Sequence, residues 1–151
     1  MRTWIFAVVL LLELVGFAHA GEPRSGWFAV RLPVIAVVHD ELYAGEAIGY
    51  LDRTGTIEIR SVLDANSRCA GEFHYTGLTS GVASMRCHDG TEAVLAFQAL
   101  GLMSGYGYGE TPRGSASFTF GLDPEDAVPH LRLPRGKKLG RTAEGLRLEP
   151  P

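Results

Sequence analysis

Residues 56–62, TIEIRSV, place Ile57, Ile59 and Ser61 on one side of an extended chain and Glu58 and Arg60 on the other. Alternation with a period of two marks a strand buried on one face. Turn signals recur around it, at Asp52-Arg53-Thr54-Gly55, Asp64-Ala65-Asn66, Thr76-Gly77, Asp89-Gly90 and Thr111-Pro112-Arg113-Gly114, and the runs between them are too short for helices. Short strands at this spacing predict an all-β fold, an antiparallel meander of about seven or eight strands that closes as a barrel or folds as a sandwich. Upstream, WFAVRLPVIAVV (27–38) is apolar and β-branched but interrupted by Pro33, which predicts an edge strand or two short strands around a break. Downstream, GLDPEDAVPHL (121–131) predicts a short C-terminal helical turn. Asp123 can cap it, Pro124 suits the first helical position, Glu125 and Asp126 favour the positive end of the dipole, and Pro129 stops it early.

The stretch RCAGEFHYTGLTSGVASMRCHDG (68–90) fixes a register. Arms 69–75 and 81–87, joined by the five-residue loop Thr76–Ser80, put Cys69 opposite Cys87, Gly71 opposite Met85, Phe73 opposite Ala83 and Tyr75 opposite Gly81. Steps of two keep all eight on one face. Directly opposed residues on antiparallel strands lie about 4.5–5.5 Å apart at Cα, within reach of a disulfide, so Cys69–Cys87 is the expected bridge. Shifted by 24 residues, the part AGEFHYTGLTSGVASMRCHDG (70–90) of this stretch lies on VLAFQALGLMSGYGYGETPRG (94–114), matching Phe73 with Phe97, Gly77 with Gly101, Leu78 with Leu102, Ser80 with Ser104, Gly81 with Gly105 and Gly90 with Gly114. A period of this size marks stacked β-units. It predicts a second hairpin with Leu95 opposite Gly109, Phe97 opposite Gly107 and Ala99 opposite Gly105. The turn at 111–114 then sets Phe118 against Gly107 and Phe120 against Gly105, rings leaning on flat glycine backbone, while Tyr106 and Tyr108 point the other way. This facing pattern survives the Asp89-Gly90 joint with an odd-numbered loop or a glycine bulge, of which the bulge is preferred.

The first twenty residues, MRTWIFAVVLLLELVGFAHA, combine Arg2, an apolar run and a small-residue exit at Ala18-His19-Ala20. That layout predicts a cleaved signal peptide over 1–20 and an exported protein, periplasmic or secreted. Glu13 interrupts the run, which falls short of the roughly 20 apolar residues a bilayer span needs. No second stretch is long enough, so no transmembrane segment is expected in the mature chain. The rest reads as a β-domain over 21–130 and a basic, flexible tail over 131–151 that shows no sustained period. Residues 21–130 carry 7 basic and 14 acidic groups, and 131–151 carry 6 basic and 2 acidic. An acidic body with a basic tail is the wrong distribution for a nucleic-acid binder.

Candidate chemistry is sparse. Cys69-x4-His74 and Cys87-His88-Asp89 offer metal-ligand types, but their spacing matches no closed zinc pattern. The cysteines are 18 apart, not in the CxxC arrangement of a redox pair. His39-Asp40 is a suggestive dyad that a strand-end turn explains equally well. No G-x-S-x-G elbow or H-E-x-x-H motif is present, so no cofactor and no catalytic set is expected. Two candidate binding surfaces remain. One is an aromatic platform of Tyr106 and Tyr108, for which packing under a second layer is the competing account. The other is the basic set Arg132, Arg135, Lys137, Lys138 and Arg141, suited to an anionic membrane surface.

The series C-A-G-E-F, C-H-D-G, G-Y-G-Y-G and S-F-T-F-G, over residues 45–121, resembles small exported bacterial proteins of no assigned activity that run as C-x-G, C-x-D-G, G-x-G, F-T-F-G. The resemblance implies a periplasmic or secreted β-domain without known catalytic residues. GEF, SGVA and HDG are also similar to MORN-type repeats, hairpin units linked with membrane and protein contacts. The resulting expectation is a non-catalytic exported β-domain that acts by binding or by structural presence in the bacterial cell envelope, with an anionic membrane surface or an envelope protein as partner. The alternative is an envelope hydrolase or metal-handling protein using His39, Asp40, His74 or His88.

Overall fold

Eight strands pair in chain order: β1 (Val30–Val38), β2 (Glu41–Gly49), β3 (Thr54–Ser61), β4 (Arg68–Tyr75), β5 (Ser80–Cys87), β6 (Glu92–Ala99), β7 (Gly105–Thr111) and β8 (Gly114–Phe120). β8 returns to pair with β1, so the meander takes the barrel closure. The computed structural model describes residues 28–151. The expected signal peptide lies outside them.

Alternation sorts the side chains. Ile57, Ile59, Cys69, Ala83, Leu95, Phe97, Phe118 and Phe120 fill the interior, while Glu46, Glu58, Arg60, Glu72, Arg86 and Glu92 are exposed on the outer wall. The registers expected from the sequence are the ones observed: Cys69 with Cys87, Tyr75 with Gly81, Phe97 with Gly107, Phe118 with Gly107 and Phe120 with Gly105. Cys69 and Cys87 are disulfide-bonded, their Cα atoms 3.8 Å apart. The His88 N–H donates to the Arg68 carbonyl beside them, which makes theirs a non-hydrogen-bonded pair, the closer of the two kinds. At the Asp89-Gly90 joint, Cys87 N–H bonds to the Thr91 carbonyl and Gly90 takes φ 85°. This three-residue loop with a left-handed glycine keeps Met85 opposite Ala93.

β1 is one continuous strand through Pro33. Its residues 34–38 pair with β8, whereas 30–33 pair only with β2. Proline has no N–H to offer the missing neighbour, and its carbonyl accepts the Gly121 N–H at 2.9 Å. The edge-strand expectation therefore holds for half of the strand.

The C-terminal segment corrects the expectation of a flexible tail. A helical turn, α1 (Pro124–Ala127), runs into a 3-10 turn (Val128–His130) and then a hairpin, β9 (Lys138–Thr142) and β10 (Gly145–Glu149). Asp123 holds the cap position, although its side chain makes no capping bond. Ala127 and Leu131 are buried against Ile35, Val37 and Leu42 on the outer face of β1 and β2, with Leu133, Leu139, Leu146 and Leu148 packed around them. The run Val34–Val38 is buried on both faces, and an outward apolar face needs a cover. The tail supplies it.

Candidate functional site

The loops of an up-and-down barrel emerge alternately at its two ends, and here the ends differ in chemistry. One end gathers the turns 39–40, 62–67, 88–91 and 112–113. It is rich in charge: Arg113 pairs with Asp89 at 2.7 Å, and His39 Nε2 contacts Thr111 Oγ1. The Asp89 carboxyl is held below its ordinary range chiefly by the Thr91 N–H, then by the Thr91 hydroxyl, with Arg113 adding to the effect. Beneath these turns the disulfide, Ile59, Met85 and Leu95 leave a void of only about 20 Å3. The barrel is closed here.

Tyr43, buried at this end, shares a 3.0 Å hydrogen bond with Ser67. Burial raises its pKa above the ordinary 10.0, the Ser67 bond acts in the opposite sense, and Glu41 adds to the rise. The folded state thus holds the phenolic proton more tightly than the unfolded chain does. The stability this confers is complete below pH 10.0 and is lost as pH rises through the folded pKa. Alkaline denaturation of Tyr43→Phe is therefore expected to show a shallower loss of stability above that pH than the parent chain. Identical alkaline limbs would refute the linkage.

The other end is open. Loops 50–53, 76–79 and 100–104 emerge at this end, and residues of the first and third of them line a cavity of about 170 Å3. Its wall is made of Leu32, Val34, Ala47, Ile57, Phe73, Tyr75, Phe97, Phe118 and Phe120, and its rim of Phe28, Tyr50, Leu51, Leu102 and Met103. Arg53 is the one charged residue among its lining residues. The space follows from the strand sequences. A ring on one strand lies over a glycine directly opposite at Phe73 and Gly55, Phe97 and Gly81, Phe120 and Gly105, and Phe118 and Gly107. Each ring can therefore lie along the wall instead of crossing the interior. The rings also brace one another edge to face, Phe97 standing 6.0 Å from Phe73, 5.0 Å from Tyr75 and 5.9 Å from Phe120 between centroids, a geometry worth about 1 kcal/mol per pair. The result is a preformed aromatic cup.

Arg53 ties two rim loops together. It sits in a left-handed conformation, φ 65°, its guanidinium lies 4.7 Å over the Tyr75 ring, and it donates to the Leu78 carbonyl at 2.9 Å and to that of Gly77.

The residues singled out from the sequence are scattered. His39 and Asp40 both have positive φ, 51° and 64°, and form the two-residue β1–β2 turn, a type I′ geometry. His88 is exposed in the β5–β6 turn at the same end, while His74 is on the outer wall near the open end, opposite Val82. Among the described residues no three His, Cys, Asp or Glu side chains converge as a metal-binding group. Tyr106 and Tyr108 do lie together, 5.5 Å apart on the outer face of β7, but the chain covers them itself. His130 stacks on Tyr106 at 4.4 Å, and Arg132 lies 4.7 Å over Tyr108 while pairing with Glu110. Arg135, Lys137 and Lys138 are exposed on the segment leading into the β9–β10 hairpin, apart from the cup. The rim residues Leu51, Arg53, Leu102 and Met103 were not singled out. The signal available was a leucine or methionine at the centre of a turn, where polar residues are the rule.

The chain matches no family model, no curated protein and no solved structure.

Proposed function

We propose that this chain is an exported, non-catalytic β-barrel of the bacterial cell envelope, periplasmic or secreted, that binds a small apolar ligand in the open end of the barrel. The observation that carries the reading is the preformed apolar cup of about 170 Å3. An engineered protein cavity of about 150 Å3 takes up benzene, so the space suits a single ring or the end of a short acyl chain. Eight strands give an interior of the width that holds one small ligand. Export is supported by the layout of residues 1–20 and by the disulfide, a bond that persists in oxidising compartments. An outer wall bearing Glu58, Arg60, Glu72 and Arg86 is the reverse of a membrane-spanning barrel, whose outward face is apolar. No helix among the described residues is long and apolar enough to cross a membrane. The hydrolase or metal alternative would use His39, Asp40, His74 or His88; His39 and Asp40 share the β1–β2 turn and His88 lies at the same end, His74 stands on the outer wall near the open end, and among the described residues no three His, Cys, Asp or Glu side chains converge.

Calorimetric titration tests the reading. Hexanoate is expected to bind one to one, with a negative heat-capacity change from burial of apolar surface. Leu32→Trp, which plugs the mouth, is expected to abolish the binding while leaving the thermal transition in place. No heat of binding from hexanoate, indole or benzene would contradict the proposal, as would a stoichiometric transition metal in the purified protein.

A further inference from the structure

Three successive hairpins at the open end each carry a bare leucine at the tip: Leu51 at 75% exposure, Leu78 at 90% and Leu102 at 99%. Phe28 and Met103, more than half exposed, stand beside them on the rim of the cup. At the opposite end Leu63 is the sole large apolar side chain comparably exposed among the described turn residues. The barrel is thus amphipathic along its axis, charged at one end and apolar at the other. We infer that the open end docks on a lipid bilayer surface and that the cup receives an acyl chain from it. This deepens the ligand-binding reading above and rests on it for the fate of the chain, though not for the docking.

Three features favour a bilayer over another occupant. First, two of the three leucine-bearing loops are built alike. In 76–80 the N–H groups of Thr76 and Gly77 both donate to the Ser80 carbonyl, and in 100–104 those of Leu100 and Gly101 both donate to the Ser104 carbonyl. The carbonyls of Gly77 and Leu78 are taken by Arg53. Backbone groups paired in this way enter a lipid interface without losing water that nothing replaces. Second, the rim charges suit headgroups. The Arg53 guanidinium, bonded to the Gly77 and Leu78 carbonyls at the base of one leucine tip, sets the one cationic group of the cup's lining beside that tip, where a long basic side chain can meet headgroup phosphates as the leucine enters the acyl layer. Third, the tips are separate protrusions around a hole, not a flat patch. Such a shape fits a deformable lipid surface and leaves the mouth of the cup facing the acyl chains.

The experiment is flotation with phosphatidylcholine vesicles, run beside hexanoate titration. The parent chain is expected to float with neutral vesicles equally at low and high ionic strength, because the contact is apolar. The triple variant Leu51→Ser, Leu78→Ser, Leu102→Ser is expected to partition about 100-fold more weakly, and the single variant Leu78→Ser, at a tip that does not line the cup, to partition more weakly while still binding hexanoate from solution. Leu32→Trp is expected to float normally but to lose hexanoate. A parent chain that stays in solution overturns the docking, as does a triple variant that floats like the parent. Flotation that needs anionic lipid and disappears in salt would assign membrane contact to the basic tail instead and also overturns it. So does self-association through the leucine tips without vesicle binding. If the parent chain floats but takes up no hexanoate, the cup reading fails and the docking stands.

Discussion

Replacing Gly81 by alanine is expected to destabilise the barrel by about 3 kcal/mol, the upper part of the range for overpacked cores, and to lower the melting temperature by about 10 °C. A Cβ at this position would overlap the Phe97 ring and lie 2.5 Å from the His74 carbonyl oxygen. Turning the ring away relieves the first contact but not the second, which is to backbone, so β4 and β5 would have to separate. Gly49 provides the control. A Cβ there finds its nearest neighbour, Phe73 Cζ, at 3.8 Å, and Gly49→Ala is expected to change stability by less than about 1 kcal/mol. Chemical denaturation of the two variants checks the argument. Equal effects would show that the rings do not need the bare backbone beneath them.

The second large effect is expected from the disulfide. Substituting both Cys69 and Cys87 by alanine frees two positions 18 residues apart, and for a loop of that size the loss is about 3 kcal/mol. Cys69 is also buried in the interior, so shortening its side chain adds a small packing loss. The bridge lies at the charged, closed end, away from the cup. Hexanoate affinity measured where the double variant remains folded is therefore expected to match that of the parent chain. A loss below about 1 kcal/mol in denaturation would mean that the β4–β5 hairpin is already held in the unfolded chain.

The two effects also show which parts of the structure the sequence makes legible. The disulfide and the Phe118 and Phe120 pairings could be read because each is set within one hairpin by a loop whose length is known. The same ring-over-glycine device at Gly55 with Phe73 and at Gly81 with Phe97 was not read. These pairs cross the loops 62–67 and 88–91, whose geometry decides the register and depends on left-handed residues such as Gly90. The C-terminal hairpin was missed although LRLE, residues 146–149, alternates with period two. That run is too short to stand alone, and its partner surface on β1 and β2 is distant in sequence. The open end was least legible of all. The internal repeat pairs Leu78 with Leu102 and the alternation of a meander puts the second, fourth and sixth connections at one end, but closure of the barrel is what gathers them around a single cup.

Nuclear Overhauser contacts between bound hexanoate and the protein show whether the ligand sits in the open end of the barrel. Contacts are expected from the terminal methyl to the rings of Phe73, Phe97 and Phe120 and to the side chain of Leu32. Contacts confined to Tyr106 and Tyr108, or to the turn of His39 and Asp40, would contradict binding in the cup.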